Sequence, residues 1–252
     1  MSARPAPSET KLQPTTRTVV IEQPNYIPWS GYFDLVRQSD VWVWYDDVQY
    51  TKRDWRNRNR VAGDVAEWLT IPVKTKGRFA QRICDVEIDD SQPWRRRHLE
   101  TIRRCYARAP FFEPMFALIR SSLASDLSGL ADLTIQINEA ICLLIGFRPS
   151  FLRSSQLQHT GSSGEKRLIE ICGEVGGDVY LSGPAARAYI DPRAFAAAGI
   201  ELRYIIYDCP PYARGSKPFV PNLSIIDMLA WLGPRGTDEY LAAQGHSEVV
   251  PC

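Results

Sequence analysis

One stretch, Val19 to Arg60, limits what this chain can become. The apolar run Val19-Val20-Ile21 stops at Gln23-Pro24-Asn25, which reads as a short buried strand bounded by turn residues. Pro24 and Pro28 fix the backbone of a loop carrying Asn25, Tyr26 and Trp29. Gly31 opens a short helix, Tyr32 to Gln38, and a second strand follows from Val41 to Tyr45, ending in Asp46 and Asp47. Strand, loop, helix, strand is a βαβ unit with an expected right-handed crossover. Its two rich loops, 23–30 and 46–60, then lie at the carboxyl edge of a parallel sheet, where open α/β sheets bind ligands. Within 51–60, Lys52, Arg53, Arg56, Arg58 and Arg60 oppose only Asp54, with Trp55, Asn57 and Asn59 among them. Forked guanidiniums suit phosphate or carboxylate, so the loop is expected to form a local anion site.

These residues carry a resemblance. QPNYIPWSGYFDLV and SDVWVWYDDVQYTKRDWRNRNR resemble the opening of the WbqC-like family of bacterial proteins, and PNLSIIDML at 221–229 is similar to its closing motif. GEKRLIEIC and DVYLSGPAARAYI look like internal blocks of the same family, so the resemblance covers about residues 18–235. It implies a place in O-antigen or other polysaccharide biosynthesis. For some members it implies a glycine transferase that acylates the amine of a nucleotide-linked amino sugar. A second similarity concerns fold: strand, Pro-rich loop and Trp29-Ser30-Gly31-Tyr32 look like the opening of HIGH-type nucleotidyltransferases. Both histidines of their HxGH motif are replaced here, which removes the imidazoles that stabilise an adenylyl transition state.

The remaining composition narrows the classes. The 252 residues suit one α/β domain, Rossmann-like, with a mostly parallel sheet flanked by helices. Thirty basic and 29 acidic residues nearly cancel, so no global field favours nucleic acid or membrane, and an anion site must be local. Six cysteines lie without CxxC pairs, which fits neither a zinc nor a disulfide framework and suits a reduced cytosol. Cys142 and Cys172 read as small core residues, and Cys209 as a structural thiol at the end of a strand. Residues 1–17, rich in Pro, Ser and Thr, read as a disordered arm and not a signal peptide. No apolar run approaches the roughly 20 residues of a membrane span.

Further along, Glu67 to Val73 reads as a third strand, with Pro72 at its end, and Ile83 to Ile88 as another short one. Ser91 or Asp90 is placed to cap a helix from Trp94 to Arg108, and helices over 111–123 and 127–145 complete a helical insert, 94–145, that ends at Gly146. Pro149 to Arg153 reads as a strand. The turn His159 to Gly164 opens a helix, Glu165 to Val175, whose first N–H groups either bind an anion or are capped by Ser162 or Ser163. Strands at 179–181 and 202–207, with helices after Pro184 and Pro192, form a second βαβ unit. Asn222 or Ser224 caps the helix Ile225 to Leu232, with Asp227 favouring its dipole, and residues 236–252 read as a tail.

The resulting expectation is a transferase moving an acyl or aminoacyl group, possibly glycyl, onto an amine of a nucleotide-linked amino sugar or related metabolite. Asp46, Asp47 or His159 would accept the amine proton. Lys52, Arg56, Arg58 and Arg60 would hold a diphosphate or carboxylate, with Trp29, Tyr32 or Trp55 stacking on a base or sugar. Gln23, Asn25, Tyr26, Ser163, Lys166 and Ser182 would complete the site. An acyl carrier protein or coenzyme A would supply the acyl group, and the reading requires no cofactor and no metal. Two other classes stay open: a non-catalytic component that binds a ligand or carrier protein, and an ATP-dependent ligase.

Overall fold

The computed structural model describes residues 16–62, 65–158 and 162–250. The proposed arm, apart from residues 16 and 17, and His159 lie outside the described residues. Thr18–Glu22 (β1), Ser30–Arg37 (α1) and Val41–Trp44 (β2) form the expected unit, with β1 and β2 parallel and Val20 opposite Trp42. Among the described residues six strands make the main sheet in the order β5-β2-β1-β6-β7-β8, where β5 is Ser150–Arg153, β6 Val179–Ser182, β7 Glu201–Tyr207 and β8 Gly245–Val249. All neighbours are parallel except β7 and β8. The fold is α/β, a mostly parallel sheet flanked by helices, as the sequence predicts.

Two-residue alternation assigns the sheet's faces. Val20, Trp42 and Trp44 pack in one core with α1 and the helices Trp94–Tyr106 (α2), Phe112–Leu123 (α3), Leu130–Ile145 (α4) and Ile225–Gln244 (α7). Val19, Ile21, Val41 and Val43 pack on the other face with Leu168 and Ile171 of Gly164–Glu174 (α5) and Phe195 of Pro192–Ala197 (α6). The segment 94–145 is therefore a layer of the main core: Ile102, Ile119 and Ile137 share one cluster with the sheet's Trp42. Cys142 and Cys172 are fully buried, and burial pushes the Cys172 thiol up to about 12. Among the described residues no helix is long and apolar enough to cross a membrane.

Four local expectations are corrected. The third strand is Ala66–Thr70 (β4), and it pairs antiparallel with Arg58–Ala62 (β3) in a separate ribbon, so the basic loop ends as a strand. Residues 83–88 give a single 3₁₀ turn, Ile83–Asp85, with isolated bridges at Glu87 and Ile88, because their backbone groups pair with loops. No side chain caps α2: Asp90 instead accepts from Trp94 Nε1 at 2.7 Å. The stretch after Gly233 is no tail. Gly233 adopts a left-handed φ of 72° against the Phe111 ring, breaking α7, and the helix resumes before leading into β8.

Asp227 also does more than favour a helix dipole. It is fully buried, accepting from Arg214 Nη2 at 2.7 Å, Arg214 Nε at 2.9 Å and the Tyr212 hydroxyl at 2.5 Å. Arg214 Nη2 also reaches the Ala62 carbonyl at 3.2 Å, so the pair ties the loop before α7 to β3. Removing one partner of a buried pair leaves an uncompensated charge. Asp227→Ala is expected to lower unfolding free energy by about 3–5 kcal/mol, measurable by urea denaturation.

Candidate functional site

The loop after β1 is shaped by strain and by distant amides. Ile27 has φ 38°, an unfavourable conformation for a β-branched residue that costs on the order of 1–3 kcal/mol. Three groups hold it there. Asn59 Nδ2 donates to the carbonyls of Tyr26 at 3.2 Å and Ile27 at 3.0 Å. Asn138 Nδ2 donates to the Asn25 carbonyl at 2.8 Å, and Tyr26 N–H donates to the Trp55 carbonyl at 2.9 Å. Tyr26 points inward, its hydroxyl 2.9 Å from His98 Nδ1, and burial lowers the His98 pKa to about 4.

Trp29 stands just before α1, its indole folded back over Gly31. A Cβ at Gly31 would lie 2.4 Å from Trp29 Cη2, so the glycine is what admits the ring. The closing segment comes to the same place. Ser224 N–H donates to Arg60 O at 2.9 Å and Ile225 N–H to Pro28 O at 2.8 Å, while Asn222 takes a left-handed φ of 55°. Asn25, Pro28, Trp29, Trp55, Asn59 and Asn222 line a cavity of about 240 Å³, and among the described residues none that lines it is charged.

A second hollow, about 140 Å³, lies at the carboxyl ends of the central strands. The chain leaves β1 toward β2 on one side, while β6 flanks β1 on the other, which makes this the sheet's switch point. Glu22, Gln23, Tyr45, Ser182, Tyr189 and the α5 residue Gly164 line it. Burial raises the Glu22 carboxyl to about 7; the nearby Arg56 charge and the Gln23 N–H pull it down, but by less. Arg56 bonds one lining residue of each hollow. Its Nε donates to the Gln23 side-chain oxygen and its Nη1 to Asn25 Oδ1 at 2.7 Å, with Asp54 at 3.4 Å from Nη2.

The structure places Asn25, Trp29 and Trp55 on the first hollow and Gln23 and Ser182 on the second, with Arg56 bonded to one residue of each, and disperses the rest. Tyr26 is in the core. Tyr32 is buried against Trp42 and its hydroxyl donates to Gln23 O at 2.9 Å, so neither it nor the folded-back Trp29 stands in for an imidazole. Asp46 and Asp47 are buried as braces. Asp46 accepts from Ser155 N–H at 3.0 Å and Ser155 Oγ at 2.9 Å; Asp47 accepts from Ser154 Oγ at 2.5 Å and pairs with Arg167. Strand alternation turns Arg58 and Arg60 onto the ribbon face of Trp68, the Arg58 guanidinium 4.3 Å from the ring centroid. Lys52 lies 5.2 Å from the Phe79 ring. Ser163 precedes α5 without a side-chain cap bond, and Ser162 bonds Glu170 instead. Lys166 points out toward Glu170 at 3.9 Å. The carboxylate that the sequence reading missed is Glu22, although an acidic residue ending a central strand is itself a signal.

The family model described as the WbqC-like protein family matches residues 23–239, from the end of β1 into the second half of α7. The chain is 37% identical over 225 residues to "Uncharacterized protein Rv1507c" of Mycobacterium tuberculosis (strain ATCC 25618 / H37Rv), covering 88% of this chain and 96% of that protein. No solved structure matches. The segments that converge here, the loop after β1, the ribbon and the start of α7, all fall within the matched span, and the chain belongs to the WbqC-like protein family.

Proposed function

We propose that this protein transfers an acyl or aminoacyl group to an amine of a nucleotide-linked amino sugar or related metabolite, with Glu22 accepting the amine proton. The observation that carries the reading is the Glu22 carboxyl, at the switch point of the sheet, with its proton affinity raised to about 7. A base poised near the working pH is efficient at proton transfer. The amine nitrogen attacks the carbonyl of a thioester, on coenzyme A or a carrier protein. An N–C bond forms, the C–S bond breaks, and Glu22 takes the ammonium proton and returns it to the departing thiolate. Ser182 and Tyr45, on the walls of the same hollow, offer hydroxyls to the oxygen that becomes negative. Asp46 and Asp47 keep the two neighbouring segments in place around it.

Mass spectrometry of mixtures with nucleotide-linked amino sugars and acyl thioesters tests the reaction itself. Its rate is expected to fall as pH drops through about 7, where Glu22 becomes protonated. Glu22→Gln is expected to lower kcat by about 10²–10⁴-fold and to abolish that limb. A wild-type rate in Glu22→Gln at pH 8 would refute the assignment. Arg56→Gln removes the charge that restrains the carboxyl, and should move the limb to higher pH.

The same residue makes a stability prediction. The native carboxyl holds its proton up to about 7, against an ordinary value of 4.5, so the folded state binds more protons in that window. Glu22's contribution is therefore fully present below 4.5 and declines as pH rises toward 7. Urea midpoints measured across that range should show the decline in the wild type and a flatter course in Glu22→Gln.

A further inference from the structure

Two guanidiniums of the ribbon are left unused by the fold. Arg58 and Arg60 share one face of β3, and among the described residues neither pairs with a carboxylate. The Nε of each is buried without a hydrogen-bond partner. Trp68, directly opposite Arg60 in register, lies beneath both, with guanidinium carbons 4.3 Å and 5.9 Å from its ring centroid. A guanidinium held over an indole can still direct its terminal N–H groups to an oxyanion. Trp68 in turn meets Trp55, ring centroids 5.6 Å apart, and both are close to half exposed. Trp55 is also a wall of the 240 Å³ cavity. Trp55 and Trp68 thus link that hollow to the two guanidiniums.

The chemistry along that path changes in one direction. The hollow offers the indoles of Trp29 and Trp55 and the amides of Asn25 and Asn222, which suit a flat neutral ring with donors and acceptors at its edge. Asn25 Oδ1 accepts from Arg56 Nη1 at 2.7 Å. The ribbon offers paired guanidiniums, which suit a phosphoryl group. A ring joined to phosphates matches both ends.

We propose that this surface binds the nucleoside diphosphate part of a ligand, the base in the Trp29–Trp55–Asn222 cavity and the phosphates on Arg58 and Arg60. It rests on the transferase reading only for the idea that the nucleotide carries an amino sugar. The placement assigns recognition to the ribbon and chemistry to the Glu22 hollow, with Arg56 between them.

The test is direct binding of UDP, CDP, ADP, GDP and dTDP, with uridine, glucose 1-phosphate and inorganic phosphate as partial ligands, by calorimetry and tryptophan fluorescence at low and high salt. At least one nucleoside diphosphate should bind, quench tryptophan emission and weaken with salt, while the partial ligands bind at least about tenfold less tightly. The double variant R58Q/R60Q should lose about tenfold or more in affinity per guanidinium. R58K/R60K, keeping charge without the fork, should fall between. The proposal is overturned if no nucleoside diphosphate binds the wild type, if R58Q/R60Q binds unchanged, or if glucose 1-phosphate binds as tightly as the nucleotides. Should R58Q/R60Q fail to fold, Trp55→Ala decides in its place: unchanged nucleotide affinity in it overturns the proposal. Nucleotide binding without any acyl transfer would remove the reaction proposed for Glu22 and leave this subsite standing. Acyl transfer by an enzyme indifferent to Arg58 and Arg60 would do the reverse.

Discussion

The fastening of the loop after β1 is the constraint on which the remaining architecture depends. Ile27 sits in a backbone conformation that its side chain disfavours, and it stays there because Asn59 bonds the carbonyls of Tyr26 and Ile27 and Asn138 bonds that of Asn25. Those amides come from the ribbon and from α4, 32 and 113 residues away from their partners in sequence. Neither can act until its own element has docked. The site is thus a property of the finished fold, and nothing local to QPNYIPW would hold it.

The same long-range logic closes the other wall. Backbone bonds from Ser224 and Ile225 join the start of α7 to β3 and to Pro28, and the buried Arg214–Asp227 pair secures the loop that leads there. Opening and closing segments of the chain meet at one edge of the sheet. The two segments lie nearly 200 residues apart in the chain. Each is half of one surface.

Much of the framework was legible before any coordinates. The apolar runs at 19–21, 41–45 and 202–207 and the stripe through 130–145 placed strands and helices correctly, because burial on both faces or on one leaves distinct periods. The site was legible in its location and less so in its residues. Charge suggested that Asp46 and Asp47 face a ligand, but the partners that consume them, Ser154, Ser155 and Arg167, come from segments over 100 residues away. The run of arginines looked like one cluster until strand alternation divided it: Asn59 turns in, Arg58 and Arg60 turn out, and Arg56, before the strand, alone reaches Gln23 and Asn25. Glu22 was overlooked because a carboxylate beside Gln-Pro-Asn resembles the beginning of a loop, whereas the strand includes it. The C-terminal half of α7 and β8 lay behind Gly233-Pro234, a pair that reads as a stop and here only bends the path.

The two borders of the main sheet have a consequence for how copies of this chain behave toward each other. β5 spans four residues, with Arg153 held by Asp132 2.7 Å away. β8 spans five, runs against its neighbour and carries Glu248, which is paired with Arg187. A brief strand studded with charge offers a poor template for another backbone, so accretion of further strands is discouraged at either margin.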